Sequence, residues 1–208
     1  MSALRDRQLA TLPPRPGLVV VDVQRSFADP AMIADYQPDL AAVAKAVDRS
    51  AALVAVARRF GVPVVWVELG SDPARPWQVS DWFHGSKPED NPCVVGTPGA
   101  EWYAMAPEPG ELRVVKRGYS GFAGTTLEEQ LRAAGIGWLA VCGLTTECCV
   151  AATATDAFQR EFPVLLPQDA VAAYDPDVHH AALEQLALNV AVLTDTTELT
   201  GLFEEATR

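Results

Sequence analysis

Positive charge is scarce in this chain. Its 208 residues hold 16 Lys and Arg against 27 Asp and Glu, a formal net charge of −11. A surface of that sign repels phosphate backbones and anionic lipid headgroups, so neither nucleic acid nor membrane is an expected partner. The apolar runs are no longer than a strand, too short for a helix to cross a bilayer. Residues 1–16 mix Arg5, Asp6 and Arg7 with Pro13, Pro14 and Pro16 and lack the continuous apolar core of a secretion signal. They read as an N-terminal tail, and the protein is expected to be cytoplasmic. Histidine is limited to His84, His179 and His180, and with no His pair at ligand spacing and no CxxC, a zinc site is not expected. The four cysteines, Cys93, Cys142, Cys148 and Cys149, lack the spacing of a disulfide framework and are expected to be thiols in a reducing compartment.

With 49% apolar residues, the chain can bury one substantial core, and a single domain over residues 1–208 is the simplest reading. Residues 17–23 (GLVVVDV) form an unbroken apolar run closed by an acid, the pattern of a parallel strand covered on both faces. Residues 40–60 place Val43, Val47, Leu53, Val54 and Ala57 at helical intervals, Gly61 ends the helix, and residues 62–67 resume a buried strand. Residues 68–111 have no clear period, which suggests a loop-rich lid insertion. Strand 112–116, helix 125–134, strand 138–142, helix 146–160, strand 163–166, helix 178–188 and strand 190–193 follow. Alternation of this kind implies a parallel sheet with helices on both faces.

In such sheets ligands bind beyond the carboxyl ends of the strands. Asp22 ends the first strand and Lys116 the third, and the turn holding Thr145 to Cys149 follows the fourth. Asp22 alone is ambiguous, since a carboxylate there also serves to cap a helix or hold a loop. An aspartyl phosphatase would want an acid two residues on, where Gln24 stands. Lys116 is one of only three lysines, with Lys45 and Lys87. It reads either as a snorkelling strand end or as a cation that holds Asp22 ionised and favours a nearby thiolate. Cys148 and Cys149 open a helix, where free N–H groups and the helix dipole favour a thiolate and could hold an oxyanion. Adjacent residues diverge by about 100° on a helix, so at most one of the two faces the rim, and geometry alone leaves the choice open. Cys142 reads as a small buried hydrophobe. His84 sits in the loop and the other two histidines at a helix start, which gives no support for a Cys-His pair. Gln24, Phe27, Trp82, Tyr119 and Phe122 are the candidate pocket residues.

Three segments together resemble the isochorismatase-like hydrolases, over residues 17–193. LVVVDVQRSF resembles their aspartate strand, VVKRGYSGFAGTTLEEQLRAAGI their lysine strand and following helix, and CGLTTECCVAATATDAF their cysteine turn. In that family the nucleophile is followed by Val, two variable residues and Thr-Ala, a register met by Cys149 through Ala154. The resemblance thus implies Asp22, Lys116 and Cys149 as catalytic triad. It also implies a three-layer α-β-α sandwich on a six-stranded parallel sheet, a cis peptide at Leu144–Thr145, an oxyanion hole from the Thr145 and Cys149 N–H groups, and a homo-oligomer, dimer or tetramer, whose neighbouring chain completes the pocket. Metal-dependent nicotinamidases carry an Asp-x-His motif and a further His after the second strand; Val67 to Ser71 (VELGS) offers none, so no metal and no cofactor is expected. True isochorismatases lack the cysteine. The resemblance therefore narrows to the cysteine hydrolase branch, similar to N-carbamoylsarcosine and ureidoacrylate amidohydrolases. These open a C–N bond in a small amide, carbamoyl or ureido compound through a thioester. The stretch Tyr119 to Phe122 (YSGF) is similar to the latter. Two rival readings are a Cys-independent hydrolase and a non-catalytic or redox-responsive binding protein.

Overall fold

PGLVVV offers no polar side chain to either face, and all six residues of β1 (Pro16–Val21) are buried. The computed structural model, which describes residues 3–75, 79–85 and 87–208, places this strand in the middle of a parallel sheet. In chain order the elements are α1 (Ala3–Ala10), β1, α2 (Arg25–Ala28), α3 (Pro30–Ile33), α4 (Leu40–Phe60), β2 (Val64–Leu69), α5 (Val79–His84), β3 (Leu112–Lys116), α6 (Leu127–Ala133), β4 (Trp138–Leu144), α7 (Ala151–Gln159), β5 (Val164–Pro167), β6 (Val171–Ala172), α8 (Pro176–Asn189), β7 (Ala191–Thr194) and α9 (Thr196–Ala206).

The strand order is β3-β2-β1-β4-β5-β7, with β6 paired beside the end of β4. Alternate residues of β1 serve opposite layers, as the two-residue period of a strand requires. Leu18 and Val20 pack with Val47, Leu53 and Val54 of α4 and Phe203 of α9. Val19 and Val21 pack with Leu131 of α6, Ala157 of α7 and Leu186 of α8. The result is the expected α-β-α sandwich on a six-strand parallel path, with two-residue β6 as an added seventh strand beside β4. α4 starts at Asp39, whose carboxylate accepts the Ala42 N–H at 3.0 Å, and stops at Gly61 in the left-handed region (φ 68°).

The N-terminal tail carries a helix of its own. Eight of its residues form α1, tied to the far end of the chain by Arg5, which ion-pairs with Glu198 and donates to the Leu193 carbonyl at 3.1 Å. Part of the loop-rich stretch 68–111 is also anchored. Ser71 bridges Val94, Trp102 bridges Gln24 and stands edge-on to Trp66 at 4.7 Å, and Cys93 is buried. Residues 76–78 and 86 of the expected lid lie outside the described residues. Among the described residues no helix is long and apolar enough to cross a membrane.

One glycine fixes the approach to the rim. Gly143 has φ 115°, and a Cβ there would stand 2.0 Å from the Val21 carbonyl oxygen, so only glycine lets β4 lie against β1 at this point. One residue further on, the Leu144–Thr145 peptide bond is cis. The chain then enters a π-helical turn, Thr146–Val150, rather than the first turn of the single helix expected over residues 146–160.

Candidate active site

Asp22 is the first residue beyond β1 and takes up a left-handed conformation, φ 49°, that Asp tolerates better than most residues. Its N–H remains in the sheet, donating to the Val67 carbonyl at 2.9 Å. The following turn is fixed by Gln24. Its amide nitrogen donates to the carbonyls of Leu69 (3.0 Å) and Ala100 (2.9 Å), and its amide oxygen accepts the Leu69 N–H (2.8 Å). These bonds occupy the Gln24 amide with backbone, which corrects its assignment to the pocket wall: it braces the loop behind Asp22.

Lys116, the last residue of β3, reaches across the rim and is fully buried. Its ammonium lies 2.8 Å from Asp22 Oδ2, 3.3 Å from Cys149 Sγ and 2.9 Å from the Gly118 carbonyl. These three neighbours match its three donor directions. Asp22 is fully buried as well, and Cys149 is 6% exposed. Neither Asp22 oxygen has a hydrogen bond of full geometry among the described residues. What faces the carboxylate is the Lys116 charge, the Cys149 thiol and the Leu69 amide.

The structure therefore gathers Asp22, Lys116 and Cys149 into one contact set and separates the two cysteines. Cys149 sits against the ammonium, while Cys148 is half-buried, its sulfur 3.9 Å from that of Cys149. Burial raises the Asp22 carboxyl above its ordinary value, against the opposing pull of Lys116. Burial pulls Lys116 down, but the charges of Asp22 and Cys149 together hold it above its ordinary value. The contact with Cys148, burial and the Asp22 charge push the Cys149 thiol well up. Lys116 is thus the fixed cation, and Asp22 and Cys149 compete for a proton beside it. With one proton between those two, the trio is net neutral whichever of them holds it. Moving the proton creates no unpaired charge in the low-dielectric interior.

Thr145 joins the cis bond to the π-helical turn. Its carbonyl accepts the Cys148 N–H at 3.2 Å and the Val150 N–H at 3.1 Å, passing over the Cys149 N–H between them. Thr146 is buried, and its hydroxyl meets His179 Nδ1 at 2.9 Å. His179, near the start of α8 as expected, is half-buried and supports the turn.

The other pocket candidates divide. Phe122 is buried in the cluster between the sheet and α6–α7 that also holds Cys149, with the Arg160 guanidinium 5.0 Å above its ring. Phe27 packs against the opposite cluster, the one under α4, and its carbonyl accepts the Tyr174 hydroxyl. Trp82, on α5, is 72% exposed. Tyr119 stands at the rim: the cysteine pair raises its hydroxyl after burial does, and the residue is about half exposed.

Three further residues were missed. Tyr174, just beyond β6, crosses the rim and donates its hydroxyl to the Phe27 carbonyl at 3.1 Å. Glu147 accepts the Thr145 hydroxyl at 2.8 Å. Cys93 lies in the buried floor, where burial and the Asp22 charge push its thiol up to about 12. At the end of β2, Glu68 accepts from Arg113 Nε at 2.7 Å and Nη2 at 2.9 Å, and beyond the strand the Ser71 hydroxyl donates to the Pro92 carbonyl.

The chain matches the isochorismatase domain over residues 16–198. It is 33% identical over 198 residues to the ureidoacrylate amidohydrolase RutB of Methylobacterium radiotolerans, a match covering 88% of this chain and 77% of that protein. A cysteine hydrolase from Pseudomonas syringae pv. phaseolicola superposes with a TM-score of 0.82 at 26% identity, over 92% of this chain and 93% of that one. N-carbamoylsarcosine amidase from Thermoplasma acidophilum does so with a TM-score of 0.72 at 30% identity, over 88% and 96%. A matched domain spanning the sheet and all three rim residues leaves one assignment: the chain belongs to the isochorismatase family, in its cysteine hydrolase branch.

Proposed function

We propose that the chain, a hydrolase of amide-type C–N bonds, cleaves a small amide, carbamoyl or ureido compound through a thioester on Cys149. The observation that carries this reading is the single ammonium touching both Asp22 and Cys149, at 2.8 and 3.3 Å. Asp22 takes the Cys149 proton, and the thiolate, held against Lys116, attacks the substrate carbonyl carbon. The Thr145 and Cys149 N–H groups receive the oxyanion, a role supported by the way the Thr145 carbonyl skips the Cys149 N–H. Protonated Asp22 hands its proton to the departing nitrogen, and ammonia or an amine leaves. Water, deprotonated by Asp22, then attacks the thioester; the acid is released and the thiol restored.

The test is ammonia or amine release from a panel of amides and ureides, with a rapidly quenched sample mass-mapped for an acyl group on Cys149. Wild type should release product and show the adduct, whereas Cys149→Ala should lose turnover by roughly three to six orders of magnitude. Retained turnover in Cys149→Ala would return the site to a Cys-independent hydrolase. If wild type turns over nothing in the panel, the reading as a binding protein takes its place.

A further inference from the structure

Around the buried triad, the mouth of the site is built from tyrosine and one acid. β6 pairs with the very end of β4, Leu144 against Ala172, which brings Tyr174 beside the nucleophile turn. Its hydroxyl reaches the Phe27 carbonyl at 3.1 Å, in the segment that follows Asp22, and its backbone carbonyl accepts the Asp39 N–H at 3.0 Å, so the ring is held at both ends across the rim. Tyr36 stacks on that ring at 5.6 Å and is 60% exposed. Tyr119, three residues past Lys116, presents a half-exposed ring near the cysteines. Glu147, two residues before the nucleophile, is exposed and has its carboxylate fixed by the Thr145 hydroxyl at 2.8 Å. Its charge acts on both Cys148 and Tyr174.

Among the described residues, Arg117, exposed beside Lys116, has no ion pair, whereas the other cations around the site have partners. Lys116 faces Asp22, Arg25 is bound by Asp29 (2.9 Å) and Glu101 (3.3 Å), and Arg113 by Glu68. A site built to take a carboxylate presents a free guanidinium or ammonium, so Arg117 is the rival counter-charge that the test has to separate from Glu147. Exposed tyrosine faces beside a fixed carboxylate instead suit a cation, through charge and ring quadrupole together. The net charge of −11 adds a field of the same sign.

We infer that this site takes amides whose non-reacting part carries an amine or other cationic group and disfavours anionic ureides, with Glu147 as counter-charge and Tyr36, Tyr119 and Tyr174 as walls. This names the substrate class of the hydrolase proposed above and rests on that reading.

The test uses two thiol reagents of opposite charge and similar size, trimethylammonioethyl and sulfonatoethyl methanethiosulfonate. In each, the Cys149 thiolate displaces methanesulfinate and forms a mixed disulfide. Rates at Cys149 are read by peptide mass mapping, which separates it from Cys148, and are divided by the rates for 2-mercaptoethanol. Wild type should prefer the cationic reagent by roughly tenfold, Glu147→Gln should cut that ratio about three- to fivefold, and Glu147→Lys should invert it. The same Glu147→Gln change should lower turnover of an amine-bearing amide relative to a carboxylate-bearing one with the same scissile bond. Faster labelling of wild type by the sulfonate reagent, a ratio unmoved in Glu147→Gln, or a larger change in Arg117→Gln would overturn the inference. Because the labelling needs no turnover, an inactive wild type with the predicted ratio would refute the amidase and leave the charge preference standing.

Discussion

Replacing Lys116 by Met keeps most of its buried stem and deletes the charge. The consequence follows from what remains: Asp22 fully buried, neither oxygen with a hydrogen bond of full geometry, and the cation formerly 2.8 Å away gone. Removing one partner of a buried pair typically costs about 3–5 kcal/mol. For a chain of this size each kcal/mol moves Tm by about 2–4 °C, so Lys116→Met should melt roughly 6–20 °C below wild type at neutral pH. The pH dependence carries a sign. Burial already holds the Asp22 carboxyl above its ordinary 3.8, and losing Lys116 removes the main opposing influence. A group with a raised folded-state pKa contributes stability that is present below its unfolded value and lost as pH rises through the folded value. The gap between variant and wild type should therefore be small near pH 4 and widen toward neutrality. The double variant Asp22→Asn/Lys116→Met leaves no orphan charge and should regain about half of the loss. Thermal unfolding from pH 4 to 8 decides the matter. A gap that stays flat with pH, or a double variant as unstable as the sum of the singles, would refute the argument that an unpaired Asp22 charge is the cost.

Gly143→Ala forces a Cβ to within 2.0 Å of the Val21 carbonyl oxygen and should cost more than about 4 kcal/mol. Gly61→Ala, also left-handed but with nothing within 4 Å, should cost only about 1 kcal/mol; urea midpoints compare the two. Gln24→Leu strips the Leu69 N–H and the Leu69 and Ala100 carbonyls of their partner, so it should lower stability by about 3 kcal/mol or more and depress kcat more than it changes KM. With Asp22 as the base, kcat/KM should rise with pH along an acid limb above the ordinary carboxyl value of 3.8; a limb at or below that value removes Asp22 from the role.

The sheet was legible because strands buried on both faces leave runs such as LVVV and WLAV, and α4 because its apolar residues recur at helical intervals. What escaped lacked such a pattern. β6 is two residues long, and α1 buries no residue and is followed in sequence by Pro13, Pro14 and Pro16. α9 did carry a signal: Asp195 stands three residues before Glu198 and accepts its N–H at 2.8 Å, a start that spacing alone could have revealed. Side-chain direction was the harder problem. Gln24 and Phe122 have the composition of pocket residues, yet one is consumed by backbone partners 45 and 76 positions away and the other is buried in the cluster on the α6–α7 side of the sheet. Neither fact is local to its own segment.

The triad illustrates the same limit from the other side. Reading the chain placed an acid, a lysine and two cysteines at strand ends, but their convergence depends on strand order. β3 is not adjacent to β1; β2 lies between them. At about 4.8 Å per strand, the Lys116 and Asp22 backbones are separated by roughly 10 Å across the rim, a gap that the long lysine stem closes and a short side chain would not. The charge that arrives must also be compact, since the same nitrogen has to meet Oδ2 at 2.8 Å and Sγ at 3.3 Å. A planar guanidinium presents its donors as a fork suited to two oxygens in one plane. Lys116→Arg should therefore keep the ion pair with Asp22 and fail to restore thiolate reactivity, so that its Tm stays near wild type while alkylation of Cys149 by iodoacetamide slows by at least about tenfold. Wild-type alkylation in Lys116→Arg would show that any cation at the end of β3 suffices, and that the point contact with sulfur is incidental.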